Sequence, residues 1–576
     1  MEALDDLIIM TPVLQGPVEY IIRVERYSSL LESVGPLADD VLHIGGGQHT
    51  GIVIRKHATE EEAYKAETDR HHLHMEFTVY LVDAIGTHKK ESRQLRFWFR
   101  KHCPEKDRHY AAQAFFKSLL SPFPKDYVGF IKRVLSLMQR GFTELRKVEL
   151  DLRMLDEAVT APSTKDYTES GEEVESVTVG HVQDVLEHAY PNSLTIETIS
   201  TALRCTQEEV CGYLEELCEK DIAKQVEESG EWIRVETCET AMVKQMPRVG
   251  RGDRPTVALI TALFLEKLAV DAMIDNKQTY VRYKTDGESN IYTLGTIGEH
   301  RVVATKLSAV GHTRAAMTAA GSITTRLLGG FQGVEHVLVV GVGGGVPHYT
   351  DQRRHVRLGD VVVSTPSQEE EEEAGHKKHP AYVYCDKIER SRDTGEVQGY
   401  AIKTWTQRDA TIPRLCKDLA REKAAWCSFA DEALEGVRQA TSGSEYSFAR
   451  PPPSSDVLTL PLGDGDVATV AHPVGDDENH SSSSRLHLGA VGAGRAVLRD
   501  PALRAEFAQE HQLRAYDADF DSVVESIDGN RIDSWALVRG IADYGDGMRN
   551  KEWQAYAALQ AAALAKLIIC RLPPPS

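Results

Sequence analysis

The stretch Val334–Pro347, VEHVLVVGVGGGVP, constrains the fold of this chain more than any other part of the sequence. Its apolar, β-branched run Val337–Val340 predicts a buried strand, because strands covered on both faces read as unbroken hydrophobic runs. The run breaks into a glycine cluster between Gly341 and Gly345. Glycine permits a close backbone approach or a positive φ, so the pattern predicts a loop whose backbone lies open to a ligand. A plain chain reversal explains the glycines equally well at this point.

Length and charge limit the class of protein. A chain of 576 residues is too long for one core and predicts two to four domains of roughly 150 residues each. Its 66 Lys and Arg against 87 Asp and Glu give a net charge of −21, which repels nucleic acid and anionic membranes. Its nine cysteines form no CxxC pair and indicate reduced thiols. With neither a signal peptide nor an apolar run of about 20 residues, we expect a soluble, cytoplasmic protein outside the membrane.

Residues 1–156 predict an α+β domain of unknown role. Several β-rich segments come first, and two helical patterns follow, around Tyr110–Leu120 and Tyr127–Leu155. The three histidines His71, His72 and His74 lack the spacing of a metal site, so surface histidines are the expectation. Nothing elsewhere in the chain predicts a metal or another cofactor.

Residues 157–176 are polar and acidic and predict a linker. Residues 177–240 then show three short helical patterns followed by two short strands across a turn. Thr206 with Glu209 three positions later forms a capping box at the start of the third helix. Three helices followed by a β-wing in about 60 residues resemble a winged-helix domain.

Winged-helix domains often bind DNA through the third helix. Here that helix, TQEEVCGYLEELCEKD, carries five glutamates and one aspartate against a single lysine. Such a charge opposes an approach to phosphates. We therefore favour a protein partner or a packing role over DNA binding.

Residues 255–572 alternate strands with helices, which predicts an α/β domain with a mixed central sheet covered on both faces. Ligands in such sheets bind where strands end in loops. Two interruptions, about 367–380 and about 440–485, are highly polar and predict disordered insertions. The fold class is therefore multidomain: an α+β domain, a winged helix and this α/β domain.

Five motifs in residues 255–572 occur in the order found in the nucleoside phosphorylase and nucleosidase superfamily, which includes uridine phosphorylase and methylthioadenosine/S-adenosylhomocysteine nucleosidase. VALITALFLE resembles the opening strand and turn, VLVVGVGGGVP with LGDVVVST the nucleoside-binding glycine segment, and HLGAVGAGRAVL the base-contacting segment. YDADFDSV resembles the ribose-binding segment and LVRGIADYGDG the catalytic turn. The domain is thus similar to a phosphorylase-like α/β domain.

The resemblance implies two catalytic residues. Cleavage of an N-glycosidic bond passes through an oxocarbenium-like sugar, and the departing purine needs a proton. Asp543 falls at the position of the acid that protonates the purine, and Glu266 at that of the carboxylate that orients the attacking water. Read without the family, Glu266 is a surface charge favoured at a helix start and Asp543 a common turn residue.

The same resemblance implies five substrate-binding residues. Backbone groups of Gly343 and Gly344 would line the base and ribose, and Val497 replaces the base-stacking aromatic residue of the nucleosidases. Phe520 takes the place of a methionine that lies against the sugar, and Asp521 that of a glutamate that holds the ribose hydroxyls. Asp521 is equally well read as a helix N-cap.

Departures from the family pattern concern the nucleophile. The phosphorolytic members hold phosphate with arginines, one of them on the strand before the glycines, whereas the strand here reads VLVV. Water is therefore the expected nucleophile, and the predicted activity is hydrolysis of a purine nucleoside such as methylthioadenosine. A non-catalytic nucleoside or nucleotide sensor is the alternative, and a DNA-binding regulator a weaker one. The family also implies a homo-oligomer by analogy.

Overall fold

The computed structural model describes most of the chain. The described residues are 7–16, 19–27, 41–44, 52–55, 70–82, 88–120, 127–155, 177–226, 229–235, 239–243, 246, 250, 254–282, 290–307, 314–366, 380–391, 397–440, 446–463, 466–473, 483–518, 520–545 and 551–575. The predicted linker 157–176 and the predicted insertion 367–380, apart from residue 380, lie outside them. The chain divides into two compact units, and each is described separately.

Among its described residues, the first unit contains a nine-stranded sheet and two helices. Its elements are β1 (Leu7–Gln15), β2 (Glu19–Tyr27), β3 (Val41–Ile44), β4 (Ile52–Arg55), β5 (Leu73–Val82), β6 (His88–Phe99), α1 (Glu105–Leu120), α2 (Tyr127–Arg140) and β7 (Leu145–Leu155). The sheet is mostly antiparallel, and its order ends on β7-β2-β1-β4-β3. An α+β class is thus present in the N-terminal region.

The predicted helix over Tyr127–Leu155 is wrong in its second half. Helix α2 ends at Arg140, Phe142 adopts a positive φ of 51°, and the chain then forms β7 in the middle of the sheet. LRKVELDLRML alternates apolar and charged residues, a period of two that fits a strand. Its charged side chains pair with arginines of neighbouring strands, for example Glu149 with Arg23 and Arg96.

The predicted disordered insertion over 440–485 is also wrong for much of its length. A hairpin of β19 (Leu458–Gly463) and β20 (Asp466–Val470) joins the nine-stranded sheet through β5. The first unit consists of Met1–Gly171, Pro347–His355 and Asp456–Glu478. Polarity alone suggested disorder, but strand pairing satisfies the backbone of a polar hairpin, so the domain predicted over 1–156 includes two later segments.

The winged-helix prediction matches the structure closely. Helices α3 (Val179–Ala189), α4 (Ile196–Leu203) and α5 (Gln207–Glu219) enclose an apolar core, and β8 (Ala223–Gln225) pairs with β9 (Trp232–Arg234). The capping box forms: Glu209 accepts the Thr206 N–H at 2.9 Å, and the Thr206 hydroxyl accepts the Glu209 N–H at 3.3 Å. This domain lies in the second unit.

The remainder of the second unit is built on a twelve-stranded mixed sheet. Its strands are β10 (Thr240–Val243), β11 (Val257–Thr261), β12 (Asp275–Arg282), β13 (Asn290–Ile297), β14 (His300–Lys306), β15 (His336–Gly345), β16 (Val361–Ser364), β17 (Tyr382–Arg390), β18 (Val397–Trp405), β21 (Leu486–Ala493), β22 (Leu513–Tyr516) and β23 (Ser534–Asp543). The order runs β10-β12-β13-β14-β11-β15-β23-β16-β21-β17-β18, and β22 pairs with β15 and β21. Parallel β11, β15 and β23 lie at its centre.

Helices cover this sheet on two sides. They are α6 (Phe264–Ala272), α7 (Arg314–Gly330), α8 (Thr411–Leu419), α9 (Lys423–Ala440), α10 (Arg495–Leu498), α11 (Pro501–Glu510), α12 (Asp521–Gly529) and α13 (Lys551–Arg571). Two separate clusters of buried apolar side chains occupy the interior, one of them around α13. By length and hydropathy α13 is apolar enough to cross a membrane, but 89% of its most apolar window is buried inside this domain. It serves as a core helix here.

Candidate functional site

Glu266 lies at the start of α6, directly after the buried strand β11. Its Oε2 accepts the backbone N–H groups of Ala262 and Leu263, each at 2.8 Å, and so caps the first turn of its own helix. Its Oε1 accepts the N–H of Val342 in β15 at 2.8 Å. The residue is 3% exposed. The reading of Glu266 as a surface charge is therefore wrong, because strand β15 covers the carboxylate.

Arg539 of β23 provides the opposing charge. The side chain is completely buried, and it is the one charged residue in the strand SWALVRGIAD apart from the final aspartate. Burial raises the pKa of Glu266, while the Arg539 guanidinium and the three backbone donors act to lower it. The guanidinium also lies 4.5 Å from the ring centroid of Phe520. A buried carboxylate and guanidinium thus meet over the end of β15.

Asp517 is a second carboxylate at this position. It follows strand β22, is 2% exposed, and its Oδ2 is in ion-pair contact with Arg539 Nε. Arg539 Nη2, by contrast, has no hydrogen-bond partner among the described residues. Burial raises the pKa of Asp517 to about 7, with Arg539 lowering it and Glu266 raising it. Buried polar groups left without partners are rare in folded proteins and mark sites that exchange protons or bind ligands.

Neighbouring atoms leave no room for side chains at two of the glycines after Val340. A Cβ on Gly341 would lie 2.3 Å from Glu266 Oε1 and 2.6 Å from Arg539 Nη1, and one on Gly343 would lie 2.8 Å from the Tyr516 carbonyl oxygen. The predicted loop is wrong, since β15 continues through Gly345, pairing Gly344 with both Asp543 and Tyr516. A bulge between Gly343 and Gly344 interrupts the ladder, a feature common beside active sites. Gly343 and Gly344 therefore border the site from within a strand.

Asp543 is the last residue of β23, opposite Gly344 in the register. Its Oδ1 accepts the N–H of Gly545 at 2.7 Å, so the carboxylate stabilises the turn that follows the strand. The residue is partly exposed, in contrast to Glu266. It therefore holds a turn at the same end of the sheet as the buried charges.

The two residues predicted to contact ribose have different surroundings. Phe520 is 2% exposed beside Arg539, and its N–H donates to the Tyr382 hydroxyl at 3.1 Å. Asp521 occupies the first turn of α12, where Phe520 and not Asp521 is the N-cap. Its Oδ2 lies 3.9 Å from Lys403 Nζ, and it borders a groove of about 620 Å³ between α7 and α12. Asp517, rather than Asp521, contacts the arginine.

Val497 is fully buried in α10, within an apolar cluster that includes Tyr516 and Phe507. Its side chain therefore contributes to the core next to β22, in a cluster that contains none of Glu266, Arg539 and Asp543.

Asp517 and Arg539 were missed by the sequence interpretation. A signal for each is present: Arg539 is a lone cation in an otherwise apolar strand, and Asp517 ends a strand at the sheet edge where ligands bind. A charged residue in a buried strand demands an opposite charge, so Arg539 predicts a nearby carboxylate. Among the residues that the structure describes, no cluster of three or more His, Cys, Asp or Glu side chains could hold a metal ion.

Comparisons with known proteins find similarity at the winged helix and over about half of the chain. The family model of the winged helix-turn-helix domain matches residues 167–236, which confirms the winged-helix prediction. A nucleotide-binding leucine-rich repeat (NLR)-like protein from Hyaloscypha variabilis (strain UAMH 11265 / GT02V1 / F) is 27% identical over 326 residues, or 55% of this chain and 29% of that protein. This chain thus spans less than a third of the relative's length.

Solved structures were also found to be similar. The 5′-methylthioadenosine/S-adenosylhomocysteine nucleosidase from Neisseria meningitidis, in complex with methylthio-immucillin-A, is 14% identical and covers 55% of this chain and 100% of its own, with a TM-score of 0.33. The futalosine hydrolase of Helicobacter pylori strain 26695 is 14% identical, covering 54% and 96%, with a TM-score of 0.32.

Proposed function

We propose that the α/β domain binds a purine nucleoside at the carboxyl ends of β11, β15 and β23 and hydrolyses its N-glycosidic bond. One observation carries the proposal: the two predicted catalytic carboxylates converge on one strand end. Glu266 accepts from Val342, and Asp543 pairs with Gly344 two residues later. At a strand rise of about 3.3 Å per residue, Val342 and Gly344 are roughly 7 Å apart along β15, so both residues stand near the same strand end.

Each carboxylate has surroundings that suit its proposed role. Asp543 is partly exposed at the mouth of the site, where it would protonate the departing purine ring nitrogen. Glu266 would hold the attacking water and accept its proton, and burial raises the pKa of Glu266 toward values at which a carboxylate is a more effective base. Asp517 and Arg539 would keep Glu266 in position.

Water is the proposed nucleophile because Arg539, the basic side chain beside the glycines, already has carboxylates as neighbours. Arg539 lies against the carboxylates of Glu266 and Asp517. A phosphate dianion would have to compete with both of these carboxylates for the guanidinium. Nucleosides with a 5′-methylthio group are our first candidates, on the family resemblance.

The test is release of free base from adenosine, inosine and methylthioadenosine, with and without phosphate. We expect release without phosphate, and a loss of about 100-fold or more in kcat in both Asp543→Asn and Glu266→Gln. Phosphate-dependent release would contradict the choice of nucleophile. Asp500→Asn is the control: it changes an exposed carboxylate to an amide whose oxygen can still cap α11, and it should retain activity.

A second candidate function is nucleoside or nucleotide sensing without turnover. Both oxygens of Glu266 already accept backbone N–H groups. This leaves few lone pairs with which Glu266 could accept a proton from water, and so favours binding without turnover. The NLR-like relative, whose name describes nucleotide binding, also fits a signalling role. Calorimetric binding of methylthioadenosine without base release would support the sensor and reject the hydrolase.

The winged helix would then serve a protein partner. Exposed glutamates of α5 present negative charge, and Arg234 of the wing is buried in an ion pair with Glu187. Neither feature suits DNA, and salt-sensitive retention on DNA would contradict this assignment. By analogy with the family, the protein would form a homo-oligomer, which analytical sedimentation tests. It would be located in the cytoplasm, which cell fractionation tests.

A further inference from the structure

The turn that follows α3 in the winged helix contacts the end of strand β14 in the α/β domain. Lys306, the last residue of β14, is 2% exposed, and its Nζ donates to the carbonyl oxygens of His188 at 2.8 Å, Leu307 at 3.0 Å and Tyr190 at 3.4 Å. A lysine ammonium has three N–H donors, so the three carbonyls match its capacity. Two of these three acceptors belong to the winged helix.

The same turn also contacts the helix that carries Glu266. The Tyr190 ring packs edge-on against Phe264, the first residue of α6, with ring centroids 5.5 Å apart. The guanidinium of Arg234 lies 4.9 Å from the centroid of the Phe264 ring. Tyr190, Phe264, Val281 and Ile291 form a small apolar cluster. The winged helix therefore contacts the Phe264 ring at the start of α6 through the ring of Tyr190 and the guanidinium of Arg234.

A buried polar group anchors this arrangement. Glu187 of α3 accepts from Gln183 Nε2 at 2.9 Å, Arg234 Nε at 3.1 Å and the Tyr446 hydroxyl at 2.5 Å. Tyr446 precedes the hairpin segment of the chain, outside the winged helix. Burial raises the pKa of Glu187, and its three hydrogen bonds act in the opposite direction. Because a buried donor or acceptor without a partner costs free energy, these three hydrogen bonds hold the Glu187 side chain and its donors in one arrangement.

A continuous set of hydrogen bonds connects this contact to Glu266. The Leu307 N–H donates to the Thr261 carbonyl at 2.8 Å, and the next two amides after Thr261 are those that Glu266 binds. Lys306 is the residue preceding Leu307 and also binds the Leu307 carbonyl. Burial lowers the pKa of Lys306 to about 7, while the charges of Glu187 and Glu266 raise it. The lysine is thus electrostatically coupled to both carboxylates.

We propose that Lys306 is a positioning residue for Glu266 and that the docked winged helix holds it in place, so that docking of the winged helix and the geometry of the Glu266 site are coupled. A protein bound to the winged helix would then change nucleoside binding, and a nucleoside would change that protein's affinity by the same factor. The coupling itself is independent of the proposed hydrolysis, whereas its effect on a nucleoside rests on that function.

Hydrogen exchange in the full chain tests the coupling without any ligand. We expect Lys306→Met to accelerate amide exchange by roughly tenfold in two segments together, 187–190 of the winged helix and 262–266 of the site. Tyr446→Phe, a milder change that touches neither Lys306 nor Glu266, should accelerate both segments to a smaller extent. Faster exchange in only one of the two segments, in both variants, would overturn the proposal.

Asp184→Asn is the matched control. Asp184 also lies on α3 and pairs with Lys551 of the α/β domain at 2.6 Å, but both side chains are exposed. An exposed pair contributes little to stability, so exchange in 262–266 should stay at the wild-type rate. An acceleration equal to that of Lys306→Met would show that any weakening of docking suffices and would remove the special role of Lys306.

The ligand arm uses methylthioadenosine. We expect the nucleoside to slow exchange at 187–190 in the wild type, and Lys306→Met to lower kcat more than it raises KM, with Lys306→Arg recovering part of the loss because it keeps the charge. If no nucleoside binds to the wild type, the proposed function fails while the first experiment still decides the coupling. If a nucleoside binds with unchanged exchange at 187–190, the coupling fails and the proposed function stands.

Discussion

Two buried ionic clusters in the second unit differ in how completely they are satisfied. In the Glu187 cluster both carboxylate oxygens accept hydrogen bonds, from Gln183, Arg234 and Tyr446. In the Arg539 cluster Asp517 Oδ2 contacts Arg539 Nε, but Arg539 Nη2 has no hydrogen-bond partner among the described residues. The first is the pattern of a structural ion pair, and the second that of a site prepared for a ligand.

The difference teaches that burial alone does not identify function. Both clusters are almost fully buried and both contain a carboxylate whose pKa burial raises. Only the Arg539 cluster lies at the carboxyl ends of parallel strands, beside a bulge and next to glycines whose missing side chains make room for it. Incomplete hydrogen bonding at a strand end is thus the stronger indication of a site.

Removal of Arg539 should have the largest effect on stability. Arg539→Met leaves Glu266 and Asp517 buried without a counter-charge, and we expect a loss of about 3–5 kcal/mol in the free energy of unfolding at pH 8. Lowering the pH should restore part of it, because the carboxylates can protonate. Urea denaturation at pH 8 and pH 5 measures both. Arg408→Met removes an exposed cation that pairs with Asp528 and Asp533, and should change little.

Removal of Arg234 should destabilise the protein by a similar or slightly smaller amount, since one carboxylate and not two is left unpaired. The double variant Glu187→Leu/Arg234→Met should recover part of the loss, because it removes the unpaired buried charge but leaves Gln183 and the Tyr446 hydroxyl without their acceptor. Thermal denaturation of single and double variants provides the measurement. Failure of the double variant to recover would show that the Glu187 cluster does more than hold the domains together.

Asp517→Asn should change the pH dependence of stability. The pKa of Asp517 is about 7 in the folded protein against 3.8 for the free side chain. Between these values the folded state keeps a proton that the unfolded state has released, so the contribution of Asp517 to stability falls as pH rises from about 4 to about 7. The slope is at most about 1.4 kcal/mol per pH unit.

The wild type should therefore lose stability relative to Asp517→Asn over this interval, and the variant should be the more stable of the two at pH 8. Denaturation midpoints of both proteins at several pH values provide the test. Nucleoside binding should weaken in the same variant if the cluster is a site, which separates a functional carboxylate from a structural one. Parallel pH curves for the two proteins would contradict the raised pKa.

Two glycine substitutions should have the smallest effects, with opposite signs. Gly341→Ala places a methyl group against Glu266 and Arg539 and should cost about 1–3 kcal/mol. Gly436→Ala, on the face of α9 where a Cβ meets nothing within 4 Å, should stabilise by roughly 0.5–1 kcal/mol. Melting temperatures of the two variants compare them directly. Equal effects would show that the Glu266 side chain shifts freely and that the cluster is not tightly packed.

Local patterns allowed much of the second unit to be predicted. The capping box at Thr206 and the apolar spacing of three helices gave the winged helix, and the family model confirms it. The segment VALITALFLE and the run Val337–Val340 gave strands β11 and β15. These features depend on residues close together in the chain, which is the information that a single sequence carries.

Long-range pairing accounts for what the sequence did not reveal. The charges of β7 fit both a solvated helix and a sheet with buried ion pairs, and only its partners β2 and β6 decide between them. The hairpin β19–β20 was read as disorder because polar strands are stable only when another strand accepts their backbone. Asp517 was overlooked in favour of Asp521 because two aspartates four residues apart look alike without the position of Arg539.

The sequence by itself determined the winged helix and the buried strand that leads into the glycines, and it provided the candidate carboxylates Glu266 and Asp543. Tertiary structure alone decided that the glycines continue the strand, that Arg539 lies between Gly341 and the carboxylate of Asp517, and that the winged helix contacts the start of α6. The physical reason is that charge and polarity are properties of residues, whereas burial and pairing are properties of positions. The role of a buried charge therefore depends on the partner that the fold places beside it.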